Sequence, residues 1–269
     1  MSVAILLVTC CLEESRADIL SQVIHNIRDQ APELGPKLTV FDNASTEPGI
    51  KEQLLSTFNN VYQTDRNVGY WSAIDWWLES LSASPPDYTY IIESDMIHYD
   101  FNKLWTCASF LDNHPEVGSV RLHEYSVNER HLYDKGRPRP ESKRGLWQTH
   151  TNRLTGKAVD FKHVEGDIWS TTFLTQLPAL NRYQTMRDAF IELRTKQHFT
   201  EVDFQEFYWK RFQQTGILDG GIFHCNLNQY GAGKVTGSWT SDVDLKRLGY
   251  RATRTASIIP RDQYIVTKL

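Results

Sequence analysis

The sequence predicts an α/β protein with a central, mostly parallel sheet flanked by helices. Two observations predict it. Short apolar β-forming runs alternate with helical-period segments across the first hundred or so residues. Each run then ends in a small polar cluster: Thr9-Cys10-Cys11, Asp42-Asn43-Ala44-Ser45, Arg66-Asn67-Val68-Gly69 and Glu93-Ser94-Asp95. Ligands of open α/β sheets sit beyond the carboxyl ends of the strands, so these clusters are expected at one edge.

The elements follow in order. Residues 3–8 are a buried strand with no basic segment before them and no small-residue cleavage site, so they do not read as a signal peptide. Residues 15–30 carry Ile19, Leu20, Val23, Ile24 and Ile27 at helical spacing, with Ser15 placed to cap and Pro32 and Gly35 to stop. A second strand at 37–41 leads to Asp42, and Pro48 opens a short helix to about 58. The third strand, 60–65, delivers Arg66 to Gly69. A helix over 70–81 puts Ile74, Trp77, Leu78 and Leu81 on one face. Pro85-Pro86 turns the chain into the central strand at 88–92, which ends at Glu93. A helix at 101–113 and a strand at 117–122 come next.

The second half is less regular. Residues 124–160 are polar and basic with weak periodicity, as in a long insertion or lid carrying Trp147. Residues 171–180 read as a helix. From Thr200, a stripe of Phe204, Phe207, Tyr208 and Phe212 predicts a helix running toward Gly216. A strand then reaches His224, a Gly- and Asn-rich flap carries Lys234, and 264–267 offers one more strand.

Composition bounds the function. No apolar run reaches the roughly 18 residues needed to span a bilayer, so no stable membrane insertion is expected. The four scattered cysteines, without a C-x-x-C pair, fit a reducing compartment such as the cytoplasm of a bacterial or phage-infected cell. The net charge of −4 hides an asymmetry: residues 1–120 hold 17 acidic against 6 basic residues, and 121–162 hold 5 against 10. The basic part is either a solvated surface or a face for a polyanionic acceptor.

Glu93 and Asp95 suit Mg²⁺ or Mn²⁺ together with substrate phosphate oxygens, or else they only end a strand and cap the next helix. Asp42 would accept hydrogen bonds from a ribose or base, Arg66 would pair with phosphate, and Gly69 would let the backbone approach a ligand; a turn and a helix start would use the same residues. No G-x-G-x-x-G follows the first strand, which disfavours a dinucleotide cofactor. Glu201 and Asp203 lie in the first turn of their helix, as a general base or as a cap.

Taken in order, these motifs resemble a GT-A-fold glycosyltransferase of the family 2 type. Asp42-Asn43-Ala44-Ser45 resembles the family's Asp-Asn-x-Ser, and Arg66-Asn67-Val68-Gly69-Tyr70 its Asn-x-Gly helix start. Glu93-Ser94-Asp95 falls where the family has its D-x-D metal site, with Glu in place of the first Asp. Thr200-Glu201-Val202-Asp203-Phe204 resembles its acidic pair, and His224 sits where many members complete the metal shell. The likeness covers residues 3 to about 226, leaving 124–160 unmatched.

The resemblance implies one Rossmann-like GT-A domain over 1–269. Residues 1–120 would form the nucleotide-binding half, 121–240 the acceptor half and 241–269 a tail. It implies an inverting enzyme using a UDP-, dTDP- or similar nucleotide-sugar, with Mn²⁺ or Mg²⁺ on Asp95 and His224. Glu201 is preferred over Asp203 as the base. Thr9, Asp42, Arg66, Gly69, Glu93, Ser94, Asp95, Trp169 and Lys234 would line the donor site. The acceptor would be a surface glycan or a hydroxymethylated base in nucleic acid. The alternatives are a nucleotidyltransferase, whose glycine-rich signature after the first strand is missing at Thr9-Cys10-Cys11-Leu12, and a non-catalytic sugar- or nucleotide-binding module.

Overall fold

A computed structural model describes residues 1–12, 14–98, 100–122, 133–134, 137–138, 161–171, 178–212, 215–218, 222–224 and 256–269. The first half alternates as its periodicity predicts. It runs β1 (Val3–Thr9), α1 (Glu14–Gln30), β2 (Thr39–Asp42), α2 (Ile50–Thr57), β3 (Asn60–Thr64), α3 (Tyr70–Ser80) and β4 (Tyr88–Glu93). A tight turn at Ser94 and Asp95 leads into β5 (Met96–His98), followed by α4 (Lys103–Asn113) and β6 (Ser119–Leu122). The second half contributes a short ribbon of β7 (Tyr133–Asp134) and β8 (Arg137–Pro138), then β9 (Phe161–Glu165), β10 (Ile168–Thr171) and β11 (Ala179–Arg182). It closes with α5 (Tyr183–Arg194), α6 (Glu201–Phe212), β12 (Thr215–Leu218), β13 (Ile222–His224) and β14 (Val266–Lys268).

Ten of these strands form one sheet in the order β14-β3-β2-β1-β4-β11-β6-β12-β10-β9. The β3-β2-β1-β4 block is parallel, as expected of βαβ units. Beyond it the sheet is mixed: β11 runs antiparallel to both β4 and β6, while β12 is parallel to β6. At the far edge β14 adds antiparallel to β3, so Val266–Lys268 covers that edge of the parallel block.

Alternation along the strands divides the core into two faces. Ile5, Leu7, Val40, Tyr88, Tyr90, Ile92, Val120 and Leu122 pack toward α1, α2 and α4. Leu6, Val8, Phe41 and Ile91 pack on the other face, toward α3, α5 and α6. The side chains of the candidate site stand at the carboxyl ends of these strands.

Two expectations fail. Residues 171–180 are not a helix where they are described: Thr171 ends β10, and Ala179 and Leu180 belong to β11. Gly216 does not end the helix before it. It lies inside β12, where a Cβ would stand 2.9 Å from Val120 Cγ2, so the close approach of β12 to β6 favours glycine. No helix among the described residues is long and apolar enough to cross a membrane.

Candidate active site

β4 is buried from Tyr88 to Ile92 and becomes half-buried only at Glu93, where it meets the turn. Glu93 follows Ile91 by two residues and so shares its face, the one covered by α3 and α6. Its carboxyl is pushed up to about 8, first by desolvation and then by the charges of Asp95 and Glu201. The phenol of Tyr70, the first residue of α3, lies 3.5 Å from Glu93 Oε1 and donates to it. Burial, then the nearby carboxylates, raise the Tyr70 hydroxyl well above its usual range, so it remains a donor. Asp95 is buried in the turn, with Arg16 of α1 3.8 Å from its Oδ2. Neither Glu93 nor Asp95 caps α4; the Asp100 carboxylate takes the Asn102 N–H at 2.9 Å instead.

Glu201 and Asp203 have separate surroundings. Asp203 accepts from the Thr200 N–H at 2.7 Å and the Thr200 hydroxyl at 3.0 Å, and it pairs with Lys196 at 2.6 Å. This is the carboxylate half of a capping box, closed by an ion pair. Partial burial pushes the Asp203 carboxyl up, but those hydrogen bonds outweigh it and hold it below the usual range. Glu201 takes the Gln205 amide at 3.0 Å, and its charge is felt by Glu93, Tyr70 and Arg121. Of the two carboxylates, Glu201 is the one turned toward the β4–β5 turn.

Arg121 was not anticipated. It interrupts the buried strand Ser119–Leu122, and a cation inside an apolar strand was the available signal.

On the other side of the turn, the ends of β1 and β2 are tied together. The Thr9 carbonyl accepts the Asn43 N–H at 2.8 Å, and the Thr9 hydroxyl lies 3.5 Å from the Ser45 hydroxyl. Asp42 is buried with both carboxylate oxygens engaged: one takes the Ser45 N–H and hydroxyl, the other the Gln63 amide at 2.8 Å. Asn43 Oδ1 accepts the Val68 N–H at 2.7 Å, which holds the loop that starts α3. Gly69 has φ +83°, a conformation that strains any L side chain. Arg66 donates to the Gln263 carbonyl, so its guanidinium clasps the C-terminal segment.

His224 pairs with Met96 in the β13–β5 ladder, which brings its backbone beside the residue after Asp95. Trp169 lies on β10 toward the far edge, its ring 5.1 Å from that of His163. Ser94 is half-buried in the turn. Lys234, Trp147 and most of 124–160 lie outside the described residues. Among the described residues no three His, Cys, Asp or Glu side chains gather into a metal cage. The donor chemistry still fits a hard divalent ion. Desolvation first, then the charges of Asp95 and Glu201, raise the proton affinity of Glu93, and a nearby cation would offset the two charge contributions.

No protein-family model and no curated protein matches the chain. Solved structures do. A fragment of S. aureus TarS, residues 1–349, aligns with a TM-score of 0.51 at 15% identity, over 84% of this chain and 61% of that one. A second similar structure is glucosyl-3-phosphoglycerate synthase from Mycobacterium tuberculosis in complex with Mn²⁺, uridine-diphosphate-glucose and phosphoglyceric acid. It aligns with a TM-score of 0.50 at 14% identity, over 96% of this chain and 87% of that one. This chain has the GT-A fold. It spans less than two thirds of the TarS fragment.

Proposed function

We propose that this chain is an inverting glycosyltransferase that moves a sugar from a nucleotide-sugar donor to an acceptor hydroxyl. One observation carries the reading: in a GT-A fold, Glu93, Asp95 and Glu201, from two distant parts of the chain, converge where the sheet presents its carboxyl ends. The GT-A neighbour crystallised with Mn²⁺ and uridine-diphosphate-glucose supports a nucleotide-sugar donor.

The chemistry follows from the residues. The acceptor oxygen forms a bond to the anomeric carbon while that carbon's bond to the donor diphosphate breaks. Glu201 takes the proton from the attacking hydroxyl. Tyr70 anchors Glu93, which flanks the departing group. Asp95, with His224 across the β5–β13 pair, would hold Mn²⁺ or Mg²⁺. Such a cation supplies Lewis-acid neutralisation of the diphosphate. On the nucleoside side, Asp42 offers its remaining lone pairs, and Thr9 and Gly69 border the same edge. Arg66 holds the C-terminal segment against this half and acts on the donor through that packing.

The test is donor turnover, read as nucleoside diphosphate released. Glu201→Gln is expected to lower turnover about 10²- to 10⁴-fold, the usual worth of a positioned base, with its melting temperature unchanged. Asp203→Asn is expected to lose stability and keep most of its turnover. Glu201→Gln turning over at the wild-type rate contradicts the proposal.

A further inference from the structure

β6 is an interior strand, with Arg121 opposite Ala179 of β11 on one side and Ile217 of β12 on the other. Its neighbours Ser119, Val120 and Leu122 are fully buried. Val120 and Leu122 face the α4 side, so alternation sends Arg121 to the face of α3 and α6, where Glu93 and Glu201 stand. Arg121 feels the charges of both carboxylates. Yet the Nε–H of Arg121 is buried and meets no acceptor among the described residues. Glu201 Oε1 is taken by Gln205 and Glu93 Oε1 by Tyr70. A buried donor without an acceptor is costly, and natural structures seldom leave one unmet. The residue as a whole is half-buried, so part of it is open to solvent while its Nε is closed off. A planar guanidinium fork matches the paired oxygens of phosphate and carboxylate.

We infer that Arg121 binds an anionic oxygen of a substrate in the candidate active site. The inference rests on the transferase reading and extends it by one residue. Two sources carry that chemistry: the diphosphate of the donor, and a phosphate on the acceptor. Strand order separates them in space, since β6 lies beyond β11 from the nucleoside-binding block.

Calorimetric titration in Mn²⁺ distinguishes them, with UDP, dTDP, GDP and CDP as one set of probes and glycerol 1-phosphate as the other. In Arg121→Met, the affinity for one probe set is expected to fall about 10- to 100-fold, the worth of a charge-assisted hydrogen bond. Loss of nucleoside diphosphate binding assigns Arg121 to the donor. Loss of glycerol 1-phosphate binding alone assigns it to the acceptor. Arg121→Lys keeps a point charge without the fork and is expected to lose less. Affinities within twofold of wild type for both sets overturn the inference. Should Arg121→Met fail to fold, the same comparison on Arg121→Lys decides, with unchanged affinities again overturning it. A wild-type protein that binds no nucleoside diphosphate sinks the transferase reading itself, which is a separate outcome.

Discussion

At the residue scale, two carboxylates two positions apart do different work because one is already satisfied. Asp203 holds the Thr200 N–H and an ion pair at the start of its helix, whereas Glu201 acts by its charge on Glu93. Asp203→Asn is expected to cost about 1 kcal/mol, the typical value of a helix cap, measured by urea unfolding. His98 offers a test independent of catalysis. It is buried, its Nε2 lies 2.6 Å from the Tyr90 hydroxyl, and its ring stacks on Phe101 at 4.4 Å. Desolvation lowers its pKa from 6.5 to about 3. In the unfolded chain it takes up a proton below pH 6.5, while in the folded chain it does so only near 3. Its stabilising effect is therefore complete above pH 6.5 and is lost as pH falls toward 3, by about 1.4 kcal/mol per unit. Unfolding curves at pH 7.5 and 5 are expected to differ more in wild type than in His98→Gln. An equal difference in both contradicts this account.

At the scale of elements, the apolar join between α3 and α5 also carries a buried ion pair. Asp75 of α3 is buried and is held by Arg194 of α5 at 2.6 Å, with Arg261 of the C-terminal segment 3.9 Å away. Burial pushes the Asp75 carboxyl up against the pull of Arg194. Arg194→Met would leave a buried carboxylate short of its main partner. The expected cost is about 3 kcal/mol, the lower end for such a break, because Arg194 is 35% exposed. The deficit is expected to shrink at low pH, since the folded variant then protonates Asp75 above the unfolded value. A deficit that stays constant from pH 7 to 5 contradicts this.

These elements also mark how far sequence reading reaches. β1 to β4 and α1 to α3 were readable because Leu6, Leu7, Val40 and Ile92, and the periodic Ile19, Leu20, Val23 and Ile27, are buried as their pattern demands. α5 was not assigned, although Met186, Ala189, Phe190 and Leu193 are buried at helical spacing. β11 was missed because Ala179–Arg182 is short and its apolar content slight. Its strand identity comes from pairing with β4 and β6, which are distant in sequence.

At the scale of the molecule, the sheet order brings together what the chain separates. Packing of α6 on the sheet brings the charge of Glu201 to bear on Glu93, and the β5–β13 ladder sets the His224 backbone beside Met96. Motif order singled out these residues as candidates. It did not anticipate Arg121, whose partners arise from non-local register, nor that Arg66 turns to the C-terminal segment, which folds back 197 residues later. The acceptor was not readable, because the basic segment that would meet it carries no periodic pattern. The central claim is that the carboxyl edge of this sheet binds a nucleotide-sugar through a divalent ion. The most direct test is the melting temperature against UDP-, dTDP-, GDP- and CMP-linked sugars, with and without Mn²⁺. One nucleotide class is expected to raise the midpoint only when Mn²⁺ is present, since a ligand that binds the folded state stabilises it by mass action. No shift with any of them at millimolar concentration, in a well-folded protein, would contradict the account.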